Sequence, residues 1–143
     1  VDAAVQGGAR LAAGGKRMGS TLYQPTVLVD PPDDADVSRK EVFGPVVCIY
    51  GYDDVDAAIG QANALPYAFQ AAVFTDRMSW ADYCVETLAA SAVMVNDHTA
   101  FRVDWMPFAG RRQSGLGTGG IGYTMADMSE EKMVVVNSPS SVR

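Results

Sequence analysis

The chain's apolar and polar positions change period several times, and the pattern is clearest between residues 46 and 96. Residues 46–52 form a mostly apolar, β-branched run, which predicts a strand buried on both faces. Asp53 or Asp54 can cap the helix that follows, where Val55, Ala58, Ile59 and Ala62 recur at i, i+3, i+4 and i+7 before Pro66 ends the period. Residues 69–74 predict a second strand. Thr75 or Asp76 then caps a second helix with Met78, Ala81, Val85 and Leu88 on one face, and residues 92–96 predict a third strand. The order β-α-β-α-β with short connections implies right-handed crossovers, and hence an α/β fold with helices flanking a largely parallel sheet.

The flanks are less regular. Residues 1–7 read as the end of a helix closed by Gly7-Gly8, residues 10–13 as a short strand, and residues 14–19 as a turn-rich loop. Residues 23–29 predict a strand in which Pro25 marks an edge or an entry bend. Pro31-Pro32-Asp33-Asp34 breaks the chain, and residues 36–39 make about one helical turn. Residues 97–120 carry neither period, and a loop this long within a compact domain tends to be functional. Residues 123–128 predict a helix. Lys132-Met133-Val134-Val135-Val136 predicts a last strand, and a polar tail follows. With no internal repeat or linker, the expected division is one body over residues 1–128 followed by a last strand and its tail over residues 129–143.

Composition narrows the function classes. A net charge of −6, with eleven scattered basic residues, argues against a nucleic-acid partner, which would want a basic stripe. No apolar run approaches the roughly twenty residues that span a bilayer. Val1-Asp2-Ala3-Ala4 has neither a leader pattern nor a Met, so the chain is expected to be an internal piece of a longer protein. Cys48 lies in a strand run and Cys84 in a helical pattern. Without a Cys-x-x-Cys or a His-Cys cluster, both are expected to be buried small hydrophobes in a reducing, cytoplasmic setting, with no metal.

Three places carry candidate chemistry. Glu41 and Phe43 stand just before Gly44-Pro45 and a rigid strand, where a polar and an aromatic group are held firmly; the alternative is an ordinary solvated junction. The loop after Asn96 carries His98, Phe101, Arg102, Trp105 and Phe108. His98 and Arg102 suit an anionic substrate. Against that, Arg102 can simply pair with Asp104, and Phe101 and Trp105 can form a small satellite core. Residues 110–117, Gly-Arg-Arg-Gln-Ser-Gly-Leu-Gly, offer backbone amides and two arginines to an anion, but lack the strand and helix that frame a phosphate fingerprint.

Two of these stretches resemble motifs of the aldehyde dehydrogenase superfamily. Glu41-Val42-Phe43-Gly44-Pro45-Val46 resembles its E-x-F-G-P-V, and Pro107-Phe108-Ala109-Gly110-Arg111-Arg112-Gln113-Ser114-Gly115 resembles its P-F-G-G-x-K-x-S-G. Ala62-Asn63, Tyr67, Ala71-Ala72-Val73-Phe74-Thr75 and Val95-Asn96 fall between them in the family's order and approximate spacing. The likeness runs from about residue 1 to Val136. Lys40 stands where the family often has a second acid, and Ala109 where it has glycine.

The resemblance implies NAD- or NADP-dependent oxidation of an aldehyde to a carboxylic acid. A cysteine attacks the aldehyde, hydride passes to the nicotinamide, and water activated by a glutamate hydrolyses the thioester. By resemblance that cysteine, that glutamate, the oxyanion donors and the dinucleotide-binding half all lie upstream of Val1. The chain alone is therefore expected to be inactive, with no catalytic residue of its own. Glu41 is implied to hold the nicotinamide-side ribose, Phe43 to pack near the nicotinamide, and Phe108 to line the aldehyde tunnel, with His98 and Arg102 as further substrate-lining candidates. The glycine-arginine stretch becomes a structural turn, and residues 132–136 become a strand shared between subunits of a homo-oligomer, a dimer or tetramer. The competing readings are a free-standing binding module with an anion loop, and an assembly piece acting only through its last strand.

Overall fold

The computed structural model describes residues 1–137, which fall in two compact units: residues 1–66, and residues from 67 onward. The first contains α1 (Asp2–Gln6), β1 (Arg10–Ala13), β2 (Thr26–Val29), α2 (Asp36–Arg39), β3 (Val46–Ile49) and α3 (Val55–Asn63). Its sheet has the order β1-β2-β3, antiparallel between β1 and β2 and parallel between β2 and β3, with Thr26 opposite Val46 and Val29 opposite Ile49. The central strand is the best buried: Leu28 is fully enclosed, against Ala4 and Ala9 and within a ring of Val37, Val46 and Cys48. Pro25 precedes this strand, so it acts as an entry bend. Thr26, also buried, has its hydroxyl accept from the Gly15 amide (2.9 Å) and donate to the Gln24 carbonyl (2.8 Å).

Side chains fix the edges of this unit. Asp54 caps α3, its carboxylate accepting from the Asp56 amide at 3.0 Å. Tyr50 donates to the Ser38 hydroxyl (2.8 Å), which donates to the Pro32 carbonyl (2.7 Å), tying the end of β3 to α2 and the proline break. Burial raises the Tyr50 phenol above its ordinary value, with the Ser38 hydrogen bond opposing.

The second unit holds β4 (Tyr67–Ala68), β5 (Gln70–Val73), α4 (Met78–Thr87), β6 (Ala92–Val95), β7 (Phe108–Ala109), β8 (Arg111–Arg112), β9 (Thr118–Gly119) and α5 (Ile121–Asp127). Strands β5 and β6 are parallel, Gln70 opposite Ala92 and Val73 opposite Val95; β4 pairs with β8, and β7 with β9, both antiparallel. Ala68, Ala81, Cys84 and Met94 are buried.

The α/β class and the order of elements agree with the periodicity, while several details differ. The one continuous sheet expected through residues 46–96 resolves as two parallel pairs, β2/β3 in the first unit and β5/β6 in the second. β3 is not buried on both faces: Val46 and Cys48 pack against the core, while Val47 and Ile49, on the opposite face, are about half exposed. The buried face of α4 is Ala81 with Cys84, whereas Met78 and Val85 are exposed. The loop of residues 97–120 contains β7, β8 and β9, each of two residues and thus too short to show a period. Residues 132–136 form no strand: among the described residues they pair with nothing, and Met133, Val134, Val135 and Val136 are largely exposed. The polar tail from residue 138 lies outside the described residues.

Because Leu28 is the only fully enclosed large apolar side chain among the described residues, Leu28→Ala leaves a cavity at the centre of the first unit. We expect it to lower the unfolding free energy of the 143-residue chain by about 2–5 kcal/mol, measured by urea denaturation.

Candidate functional site

The first group of candidate residues sits on a backbone bent twice in succession. The Gly44 amide donates to the Val42 carbonyl (2.8 Å) and the Val46 amide to the Gly44 carbonyl (2.8 Å), giving two adjacent three-residue turns centred on Phe43 and Pro45. Pro45 suits the second turn because its ring fixes φ. The Pro45 carbonyl then accepts from the Thr26 amide (2.8 Å), which anchors the bend to the central strand. Phe43 is left at the apex, 98% exposed, with Glu41 exposed beside the same bend. Lys40, in the position that departs from the family pattern, turns back to Asp36 at 2.8 Å. An exposed carboxylate and an open ring face on a hydrogen-bonded bend suit a ligand that offers hydroxyl groups and a flat apolar ring.

The second group lies in the second unit. Arg102 and Phe108 are brought together, the guanidinium lying 4.4 Å from the ring centroid. The same ring receives Phe69 edge-on at 5.1 Å, so Phe108 is held between an aromatic edge and a cation. Among the described residues Arg102 makes no ion pair with Asp104. Arg102 also borders an open cleft of about 580 Å³ lined by Asp104, Ile121, Thr124, Met125 and Met128. His98 turns to its neighbour instead: its ring faces the Asp97 carboxylate at 3.9 Å while its amide donates to that carboxylate at 2.7 Å. Phe101 is about half exposed and Trp105 three-quarters exposed, so neither is enclosed in a satellite core.

The stretch from Phe108 to Gly115 is fastened by its own polar groups. The Ser114 hydroxyl accepts from the Ala68 amide (3.0 Å), the Ser114 amide donates to the Arg111 carbonyl (3.0 Å), and Arg111 and Arg112 pair with Ala68 and Tyr67. The Ser91 hydroxyl lies against the Phe69 and Ala109 carbonyls. A Cβ at Gly110 would collide with the Ser114 carbonyl, which explains glycine there. Ala109, by contrast, is not among the residues with positive φ, so its methyl is accommodated where the motif has glycine. The Ser114 amide and hydroxyl are thus committed to the turn itself, which suits a structural role for this stretch. Ser114 stands in the motif quoted from the sequence, but Phe69 and Ser91 were not singled out by sequence reasoning; their contacts are long-range and carry no periodic signal.

The aldehyde dehydrogenase family model matches residues 1–134. The chain belongs to the aldehyde dehydrogenase family. It is 41% identical over 137 residues to 3-sulfolactaldehyde dehydrogenase of Priestia aryabhattai, covering 96% of this chain and 28% of the relative. It is 37% identical over 138 residues to lactaldehyde dehydrogenase of Methanococcus aeolicus, covering 96% and 29%. Among solved structures, the NADP-dependent glyceraldehyde-3-phosphate dehydrogenase of Bacillus halodurans, complexed with NADP, matches with a TM-score of 0.89 at 36% identity, over 95% of this chain and 28% of that one. Aldehyde dehydrogenase 21 of Physcomitrella patens, in complex with the reaction product succinate, matches with a TM-score of 0.82 at 38% identity, over 87% and 26%. The chain thus spans a little over a quarter of the length of the aldehyde dehydrogenases it matches.

The geometry around Gly110 generates a contrast between neighbours. Gly110→Ala should lower the thermal midpoint by an amount equivalent to about 1–3 kcal/mol of overpacking. Ala109→Gly should lower it by less, about 1 kcal/mol at most, through backbone entropy alone. Both are read by circular dichroism melting.

Proposed function

We propose that this chain is the C-terminal portion of an NAD(P)-dependent aldehyde dehydrogenase that oxidises a small anionic aldehyde to the carboxylic acid, and that the chain by itself is inactive. The observation that carries this reading is the family match over residues 1–134 in a chain spanning little more than a quarter of its relatives' length. The family reaction needs a nucleophilic thiolate. Cys84 is buried, and Cys48 is half-buried with its sulfur 3.8 Å from the Val37 carbonyl, so neither has the exposed electropositive setting of a reactive thiol. The nucleophile and the general base then belong to the rest of the protein, and the division of this chain into a body over residues 1–128 and an assembly segment over residues 129–143 goes with that reading.

NAD or NADP, when bound, supplies the hydride acceptor. Glu41 accepts hydrogen bonds from the ribose hydroxyls on the nicotinamide side, and Phe43 covers the ring's surroundings; the rigid double bend and the exposure of both groups support these roles. Phe108 lines the aldehyde channel, with Arg102 over its ring as the anion-binding group and His98 further along the same loop. Three of the four relatives named above support an anionic substrate, since sulfolactaldehyde, glyceraldehyde 3-phosphate and the product succinate carry an acidic group, whereas lactaldehyde is neutral. We place the enzyme in the cytoplasm, where two free cysteines persist reduced.

The test uses the full-length protein. Glu41→Gln should reduce the rate of nicotinamide reduction on the order of a hundredfold, as expected for a misplacement of about 1 Å, with little change in melting temperature. An unchanged kcat together with an unchanged cofactor KM removes Glu41 from the site.

Residues 132–136 are proposed as an intersubunit strand. Four consecutive apolar residues, each more than 70% exposed and without a strand partner among the described residues, form an edge that proteins normally cover. Truncation before Lys132 should shift the full-length protein towards monomer in light scattering. Retention of the oligomer mass with only a lower melting temperature contradicts the proposal.

A further inference from the structure

Asn96 is one of three non-glycine residues with positive φ among the described residues, at +57°. It directly follows β6 and begins the loop that carries His98, Arg102 and Phe108. Its backbone amide still follows the parallel ladder, donating to the Val73 carbonyl at 2.7 Å. Its side chain supplies what the turning backbone no longer can. The Oδ1 atom accepts from the Thr75 amide at 2.8 Å, and the Nδ2 group donates to the Thr75 carbonyl at 2.9 Å. One carboxamide therefore satisfies both main-chain groups of a single residue, like one more rung of the sheet. Asparagine suits this place because its short polar side chain tolerates the left-handed region.

The far end of the loop is held by the other end of the same strand. Phe69, just before β5, places its ring edge on Phe108, and the Ser91 hydroxyl lies between the Phe69 and Ala109 carbonyls. Thr75, just after β5, is gripped by Asn96. The segment from Asn96 to Phe108 is thus fastened at both ends to the flanks of β5, and Arg102 sits within it with its guanidinium on Phe108. The Phe108 end fixes the ring; the Asn96 end fixes the direction in which the chain leaves the sheet.

We propose that Asn96 is a positioning residue for substrate selectivity: by locking the loop's exit from β6 onto Thr75 it sets where Arg102 stands, and so the preference for an anionic over a neutral aldehyde. This rests on the dehydrogenase reading and on Arg102 as the anion-binding group. It places no demand on the hydride-transfer step.

The experiment measures KM and kcat of the full-length protein for 3-sulfolactaldehyde and for lactaldehyde, which share a carbon skeleton and differ by the sulfonate. The proteins compared are wild type, Asn96→Gly, Asn96→Asp and Arg102→Leu. Glycine keeps the left-handed backbone and loses both side-chain bonds; aspartate keeps the backbone and the bond from the Thr75 amide only. For Asn96→Gly the KM for the anionic aldehyde should rise about tenfold, consistent with loss of two ordinary hydrogen bonds, while its kcat and the KM for lactaldehyde stay within about twofold. Asn96→Asp should fall between it and wild type, and Arg102→Leu should lose the discrimination as well. Hydrogen exchange of residues 97–105 in the same proteins should be faster in Asn96→Gly and unchanged in Arg102→Leu. If Arg102→Leu removes the discrimination and Asn96→Gly does not, the positioning role is wrong. A wild type that oxidises neither aldehyde, or Arg102→Leu without effect, overturns the substrate reading beneath it. Exchange unaltered in Asn96→Gly overturns the positioning role independently of any activity.

Discussion

At the carboxyl end of each parallel strand pair, a side chain takes over the ladder from the backbone, and the residues that follow depend on it for their direction. In the second unit this is Asn96, reaching from the end of β6 to Thr75 beyond β5. In the first it is Asp30, at φ +48°, just past β2: its amide donates to the Ile49 carbonyl (2.8 Å) and its carboxylate accepts from the Gly51 amide (3.0 Å). Both residue types enter the left-handed region at modest expense, and both satisfy a main-chain group that would otherwise have no partner in the sheet. The carboxyl ends of parallel strands are where α/β proteins gather their sites, so a device that fixes the chain's exit there also fixes functional groups.

The candidate cofactor residues follow a different logic. Glu41 and Phe43 precede their strand, and their position is set by two tight turns and one hydrogen bond from Thr26. The Phe43 ring stands almost wholly in solvent. Residues 133–136 are largely exposed as well, and Val47 and Ile49 on the open face of β3 about half so. Such exposed apolar surface is rationalised if each patch meets a further layer of the proposed enzyme: a cofactor at Phe43, more of the α/β body at β3, and a second subunit at the terminal segment.

Much of this was legible in the sequence, for identifiable reasons. The helix at residues 55–63 declares itself by a 3.6-residue period and by Asp54, whose carboxylate does cap it. The parallel pairs follow from strands separated by helices. Strand burial was less legible, because a run such as residues 46–49 reads as covered on both faces, whereas only the Val46 and Cys48 face packs against the core of this unit. The two-residue strands β7, β8 and β9 were hidden because alternation cannot show itself in two positions. At the site, Glu41, Phe43 and Phe108 were found through motif resemblance. What holds Phe108 and its loop, namely Phe69, Ser91, Ser114 and the Asn96 carboxamide, comes from contacts eighteen or more residues apart, which no local period announces. Two of these left a trace: Ser114 as the serine of the quoted motif, and Asn96 because an asparagine after an apolar strand run is a ready left-handed turn.

The central claim is that these 143 residues orient cofactor and substrate while the reacting thiolate lies elsewhere in the protein. Limited alkylation of the full-length protein with iodoacetamide, followed by peptide mapping at graded loss of activity, tests it directly. The account predicts that inactivation tracks modification of a cysteine outside this stretch, with Cys48 and Cys84 unmodified until the protein unfolds. Loss of activity in proportion to alkylation of Cys48 or Cys84 in the folded protein contradicts it.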